Sequence, residues 1–156
     1  MSISIKLKKY LDDNQIKYLT VTHSKAYTSQ EVAAALHCPG RELAKAVVVK
    51  VDSDYIMAVL SASEKIQFDL LKKDLAAKTA ELASEEEFKG LFPDCEVGAM
   101  PIFGNIYNMP VYATQKILDD EDVYFNAGTH TEAIKLSVED FERIVKPKTA
   151  TFATSV

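Results

Sequence analysis

Apolar residues recur along the chain at two different intervals. Ile3, Leu7, Tyr10 and Leu11 follow a helical period, which predicts an amphipathic helix near the start. Six later stretches, "KYLTVTH", "AKAVVVKV", "YIMAVL", "PVYA", "VYFNA" and "AIKLS", read as strands. The first alternates Leu19 and Val21 against Tyr18, Thr20 and Thr22, and the rest are short, β-branched or aromatic, and bounded by turns. "DSD" between the second and third predicts an antiparallel hairpin, and "NAGT" between the last two predicts another.

Side-chain chemistry marks four further helix starts. A Ser or Thr that accepts an orphan backbone N–H, with an acid three residues on that reaches back, occurs at Thr28 with Glu31, Ser61 with Glu64, Ser84 with Glu87 and Ser137 with Asp140. The first introduces "SQEVAAAL", stopped by "HCPG", and the last introduces "VEDFERIV", stopped before Pro147. Helices interspersed with hairpins exclude a purely parallel sheet, so the expected class is α+β, with a mixed, barrel-like sheet flanked by helices. A single domain over residues 1–148 is expected, followed by a polar tail, 149–156, that is loose unless Phe152 docks.

Composition narrows the function classes. With 156 residues, 47% of them hydrophobic and 26% charged, the chain suffices for one sizeable core and does not read as disordered. No apolar run approaches the roughly 18 residues of a membrane span, and the early lysines are mixed among apolar positions, so a soluble cytoplasmic protein without a membrane partner is expected. Cys38 and Cys95 stand outside any zinc-ligand spacing and read as reduced thiols, so no metal or cofactor is expected. The formal charge of −5 disfavours a protein that coats nucleic acid, DNA included, and leaves room for a small local basic site.

Lys45 is the first candidate for chemistry. Residues two apart in a strand share a face, so it heads an otherwise apolar row with Val47, Val49 and Val51. Burying an ammonium is costly, so Lys45 either snorkels at a strand end or opens into a pocket. Lys50 shares the opposite face with Ala46 and Val48, which reads as the outside. His23, His37 and His130 have no second ligand at metal spacing, and no nucleophile elbow, phosphate loop or dinucleotide fingerprint is present. "GAMPIFG", Gly98 to Gly104, allows two readings: a stiff surface turn, or a backbone nest with an apolar rim from Ala99, Met100, Ile102 and Phe103 that receives an anionic or carbonyl oxygen.

Taken in order, "HSKAYTSQEVAAAL", "AKAVVVKV", "GAMPIFG" and "NAGTHTEAIKLSVEDF" resemble the YbaK/prolyl-tRNA synthetase-associated domain family over nearly the whole chain. The resemblance implies that family's fold and a metal-independent aminoacyl-tRNA deacylase, which hydrolyses the ester of a mischarged tRNA in trans. Lys45 matches the family's functional lysine, and Gly98, Pro101 and Gly104 are matched to its glycine- and proline-bearing loop, spaced here as GxxPxxG. His23, Ala26 and Thr28 match its H-x-x-A-x-T segment, and Gly128 matches the glycine of its late hairpin. In members with alanyl editing activity a polar residue usually follows the lysine, and Ala46 departs from that. On this resemblance Lys45 and Gly98 carry catalysis, while His23, Thr28, Met100, Pro101, Ile102, Gly104, Gly128 and His130 bind substrate. The implied partners are the 3′ end of an aminoacyl-tRNA, held by Lys45 with Arg41 or Lys135, and an aminoacyl-tRNA synthetase. A non-catalytic module that binds an amino acid or an aminoacyl-tRNA end is the alternative.

Overall fold

The structure, a computed structural model, describes residues 5–23, 31–32, 34, 42–96 and 99–155. The predicted N-terminal helix is α1, Ile5–Asp13, which buries Leu7 and Leu11 one turn apart. After β1, Leu19–Thr22, the segment read as a helix from Thr28 is helical at Glu31, Val32 and Ala34, while Thr28 itself lies outside the described residues.

Both predicted hairpins form. β2, Ala44–Val51, and β3, Asp54–Ser61, pair antiparallel along their whole length with Val51 opposite Asp54. The turn is therefore Asp52-Ser53, with Asp52 at a φ of 55°. Its short carboxylate tolerates that conformation and accepts the N–H groups of Lys78 and Thr79 at 3.0 Å each. The chain continues through β4 (Glu64–Ile66), α2 (Phe68–Leu75), β5 (Ala80–Leu82), α3 (Glu85–Leu91), β6 (Val111–Ala113) and α4 (Gln115–Leu118). The second hairpin joins β7, Asp122–Asn126, to β8, Glu132–Ser137, through residues 127–131. α5 (Val138–Val145), β9 (Lys148–Thr149) and β10 (Ala153–Ser155) follow.

The fold is α+β. Its five-stranded sheet has the order β5-β2-β3-β6-β9, in which β3 with β6 and β6 with β9 are parallel and the other pairs antiparallel. A three-stranded sheet, β1-β8-β7, and the pair β10-β4 complete it, so the strands lie in three sheets and, among the described residues, do not close into one barrel. The main core packs α1, Val48, Met57, Phe103, Phe125 and Phe141 on one side of β2 and β3. A second cluster of Val49, Ile56, Leu60, Leu71 and Phe152 covers the other side.

Two local readings are corrected. Ser61 and Glu64 do not start a helix: Glu64 Oε1 accepts the Ser61 N–H at 3.0 Å across the turn between β3 and β4, and α2 begins only at Phe68. The reaching-back bond of a capping box is present, but "EKI" extends as a strand because β10 pairs with it. Lys50 does not stand on an outer face, because that face carries Val48 into the main core; Lys50 sits half-buried at its margin, 3.8 Å from Glu87. Of the two outcomes left open for the tail, the docked one is found, since Phe152 is fully buried and its carbonyl accepts the Gln67 N–H at 2.6 Å.

By contrast, the starts at Ser84 and Ser137 hold. Ser84 forms a complete capping box with Glu87, and Ser137 accepts the Asp140 N–H at 3.1 Å. Glu87 also accepts from the Tyr55 hydroxyl on β3. That bond first, and the Ser84 donors after it, hold its carboxyl down at about 2. α3 is thereby fastened at its N-terminus to the central hairpin.

Candidate functional site

Among the described residues, the site is organised around a stretch of one β2 edge that no strand pairs. β3 occupies the other edge throughout, whereas on this edge β5 pairs only with Val49, Lys50 and Val51, and β7 joins the chain just before β2 through the isolated parallel bridge Leu43–Tyr124. Between those contacts no described strand pairs with Lys45, Ala46 or Val47 on that side. An apolar cleft of about 300 Å³ lies along this stretch, lined by Ala46, Val47 and Val48, by Leu82 and Phe88 across it, and by Met100.

Met100 belongs to the loop that the sequence singled out. Ala99 and Pro101 flank it and are buried, while Ile102 and Phe103 are wholly inside the main core. Gly104 opens a 3₁₀ turn, Gly104–Tyr107, where a Cβ would meet Met57 Cβ at 3.0 Å and Val111 Cγ2 at 3.1 Å. Its glycine is thus required by close packing against β3 and β6. Ile102 and Gly104 do not reach the cleft; they seat the loop whose Met100 does. Gly98 lies outside the described residues, as do Thr28, Ala26, Arg41 and His37.

The same loop is stitched to the β7–β8 connection. The Glu96 N–H donates to the Gly128 carbonyl at 2.8 Å, and the Gly128 N–H donates to the Ala99 carbonyl at 2.9 Å. The Glu96 carboxylate accepts the His130 N–H at 3.2 Å. Gly128 adopts a φ of 101°, which explains a glycine at this point. His23, at the end of β1, donates its backbone N–H to the Thr131 carbonyl at 2.8 Å. His23, Gly128, His130 and Ala99–Pro101 therefore meet at one end of the molecule, although more than a hundred residues separate the first from the last of them in the chain. Lys135 lies further along β8, 3.8 Å from Asp122 and over the Tyr124 ring.

Lys45 is half-buried on β2, and burial pushes its ammonium below the ordinary lysine range. The nearby Glu64 carboxylate opposes that shift without reversing it. Glu64 is the functional candidate that sequence reasoning missed. It is buried and accepts the Thr114 hydroxyl at 2.8 Å as well as the Ser61 N–H. Its S-x-x-E spacing pointed to a helix start and so concealed a carboxylate held beside the lysine. Replacing it tests the arrangement. Glu64→Gln removes a negative charge that favours the protonated lysine, so Lys45 should lose its proton at lower pH than in the wild type. Competitive labelling of the Lys45 amine across pH reads this directly, and a midpoint that stays or rises overturns the assignment.

These features define a class: a small α+β domain with a half-buried lysine near the start of a strand, an apolar cleft lined by the next residues of that strand, and a glycine-containing loop bonded to a second hairpin connection. The family model of the aminoacyl-tRNA editing domain matches residues 23–144, and the chain belongs to that family. Among relatives, it is 26% identical over 140 residues to the multifunctional Ser/Thr-tRNA deacylase ProXp-y of Escherichia coli K12, covering 86% of this chain and 83% of that protein. It is 30% identical over 102 residues to the proline–tRNA ligase of Staphylococcus saprophyticus, a match spanning 65% of this chain and 18% of that protein. The crystal structure of hypothetical protein APE2540 superposes with a TM-score of 0.85 at 19% identity, covering 96% of this chain and 99% of that one, which establishes a shared fold. No described helix is long and apolar enough to cross a membrane.

Proposed function

We propose that this chain is an aminoacyl-tRNA deacylase that acts in trans on the ester of a mischarged tRNA. The observation that carries the reading is that half-buried Lys45 directly precedes, on β2, Ala46, Val47 and Val48, which line an apolar cleft of about 300 Å³ together with Met100 of the "GAMPIFG" loop. An aminoacyl ester is already activated, so its hydrolysis requires placement, stabilisation of the developing oxyanion and a positioned water, and no side-chain nucleophile. In this assignment Lys45 holds the terminal phosphate or ribose. Backbone groups at Gly98 contact the ester carbonyl, and the amino-acid side chain enters the cleft against Ala46 and Met100. Pro101, Ile102 and Gly104 give the loop its shape from below, and Thr28, His23, Gly128 and His130 complete the substrate-binding end.

A second, size-selective site has a physical purpose. One methylene is worth about 1–3 kcal/mol in a binding pocket, so a synthetase cannot fully reject a smaller or isosteric amino acid. The ProXp-y relative acts on Ser- and Thr-tRNA, and small side chains of that kind suit the cleft. A chain of net charge −5 that meets only the tRNA terminus should bind uncharged tRNA weakly, which favours action on released tRNA in the cytoplasm or alongside a synthetase such as the prolyl enzyme.

Incubation with a panel of mischarged tRNAs, beginning with seryl and threonyl esters, tests the reading. Hydrolysis above the buffer rate is expected for at least one small-side-chain ester. No hydrolysis of any ester would sink the deacylase reading and leave the binding module in its place.

A further inference from the structure

Beyond the residues already assigned, β7 carries one more polar side chain at the register position that follows from its bridge to the start of β2. The bridge between Leu43 and Tyr124 is parallel. Two residues further along each strand stand Lys45 and Asn126, on the faces of Leu43 and Tyr124 respectively, because side chains alternate along a strand. Asn126 is the last residue of β7 before the loop 127–131, whose Gly128 is bonded to Glu96 and Ala99.

The other residues on this face of β7 are engaged: Asp122 lies 3.8 Å from Lys135, and Tyr124 lies beneath the Lys135 ammonium at 5.5 Å. Asn126 differs. Its Oδ1 is shut off from solvent and, among the described residues, accepts no hydrogen bond. A buried carbonyl oxygen without a donor is costly, and such groups are found where a ligand supplies the missing partner.

We infer that Asn126 Oδ1 accepts a hydrogen bond from the 2′-hydroxyl of the terminal ribose, which makes Asn126 a substrate-positioning residue; this assignment rests on the deacylase reading above. The two donors that an aminoacyl-tRNA end offers at its ester are that hydroxyl and the α-ammonium of the amino acid. Lys45 already brings a positive charge to this strand pair, and a second cation beside it would be repelled, whereas a neutral hydroxyl is not. The lysine and the asparagine thus divide the terminal nucleotide, one taking its anionic part and the other its hydroxyl.

The test uses binding. A tRNA acceptor minihelix carrying serine through a non-hydrolysable 3′-amide is prepared with a 2′-hydroxyl and with a 2′-deoxy terminal ribose, and both are titrated into the full chain. The wild type should bind the hydroxyl form about tenfold more tightly. Asn126→Leu should bring that ratio to about one, and Asn126→Asp, which keeps an acceptor, should preserve it. Equal binding of both forms by the wild type overturns the assignment, as does an Asn126→Leu ratio that stays near the wild-type value. A third probe with acetylated serine reads the other donor: affinity lost on acetylation in the wild type but not in Asn126→Leu assigns Oδ1 to the α-ammonium and also overturns it. The wild-type comparison needs no variant, so it is decisive even if Asn126→Leu fails to fold. Discrimination of the two forms by a chain that hydrolyses no ester would retire the deacylase reading and leave the Asn126 contact standing.

Discussion

Lys45→Ala should lower the rate of ester hydrolysis by about 10²–10³-fold, the usual cost of removing one preorganised electrostatic contact from a reacting ester. The lysine stands where no described strand pairs with this edge of β2, with burial depressing its pKa and Glu64 acting to keep the proton on. A cation in that setting is poorly screened by water, so its attraction for a phosphate or developing oxyanion exceeds that of a surface lysine. Its removal should not damage the fold. The ammonium pays a desolvation cost in the folded chain and forms no ion pair among the described residues, so the melting temperature should stay within a few degrees of the wild type or rise. Rate and melting temperature measured on the same preparation separate the two effects. Hydrolysis undiminished by the substitution would remove Lys45 from the site, and activity lost in step with unfolding would make its role structural.

Phe103→Ala should have the largest effect on stability, a loss of about 3–5 kcal/mol in urea titration. Phe103 is fully buried, and its ring meets Tyr10 from α1 at 5.8 Å, Phe125 from β7 at 5.4 Å and Phe141 from α5 at 5.9 Å between centroids. Three elements distant in sequence therefore share one anchor. Truncation removes the apolar area and leaves a cavity that well-packed neighbours do not fill. The same residue seats the loop bearing Met100, so hydrolysis should fall further than the folded fraction alone accounts for. A loss below about 1 kcal/mol would mean that the aromatic cluster relaxes around the gap.

Much of this was legible in the residues. The side-chain periods located α1, β2 and β3, and both hairpins followed from their turns. The capping box at Ser84 was visible because all its partners are local. The box at Ser61 misled for the complementary reason: β4 owes its extended form to β10, nearly ninety residues away, and a three-residue strand leaves little local pattern. β5 and β9 escaped notice likewise, being two or three residues long and defined by their neighbours. In "GAMPIFG" the pattern showed an apolar rim but not its division, in which Ile102 and Phe103 turn into the core and Met100 turns to the cleft. Glu64 and Asn126 were hidden because their meaning depends on which strand lies beside β2.

The pairing of β10 with β4 sets Ser155 opposite Glu64. The strand that carries the lysine's countercharge is thus gripped from outside by some of the last described residues of the chain. A tag or fusion joined just beyond Ser155 would hang on the strand that faces Lys45, so probes for handling or imaging this protein are better carried at another exposed surface.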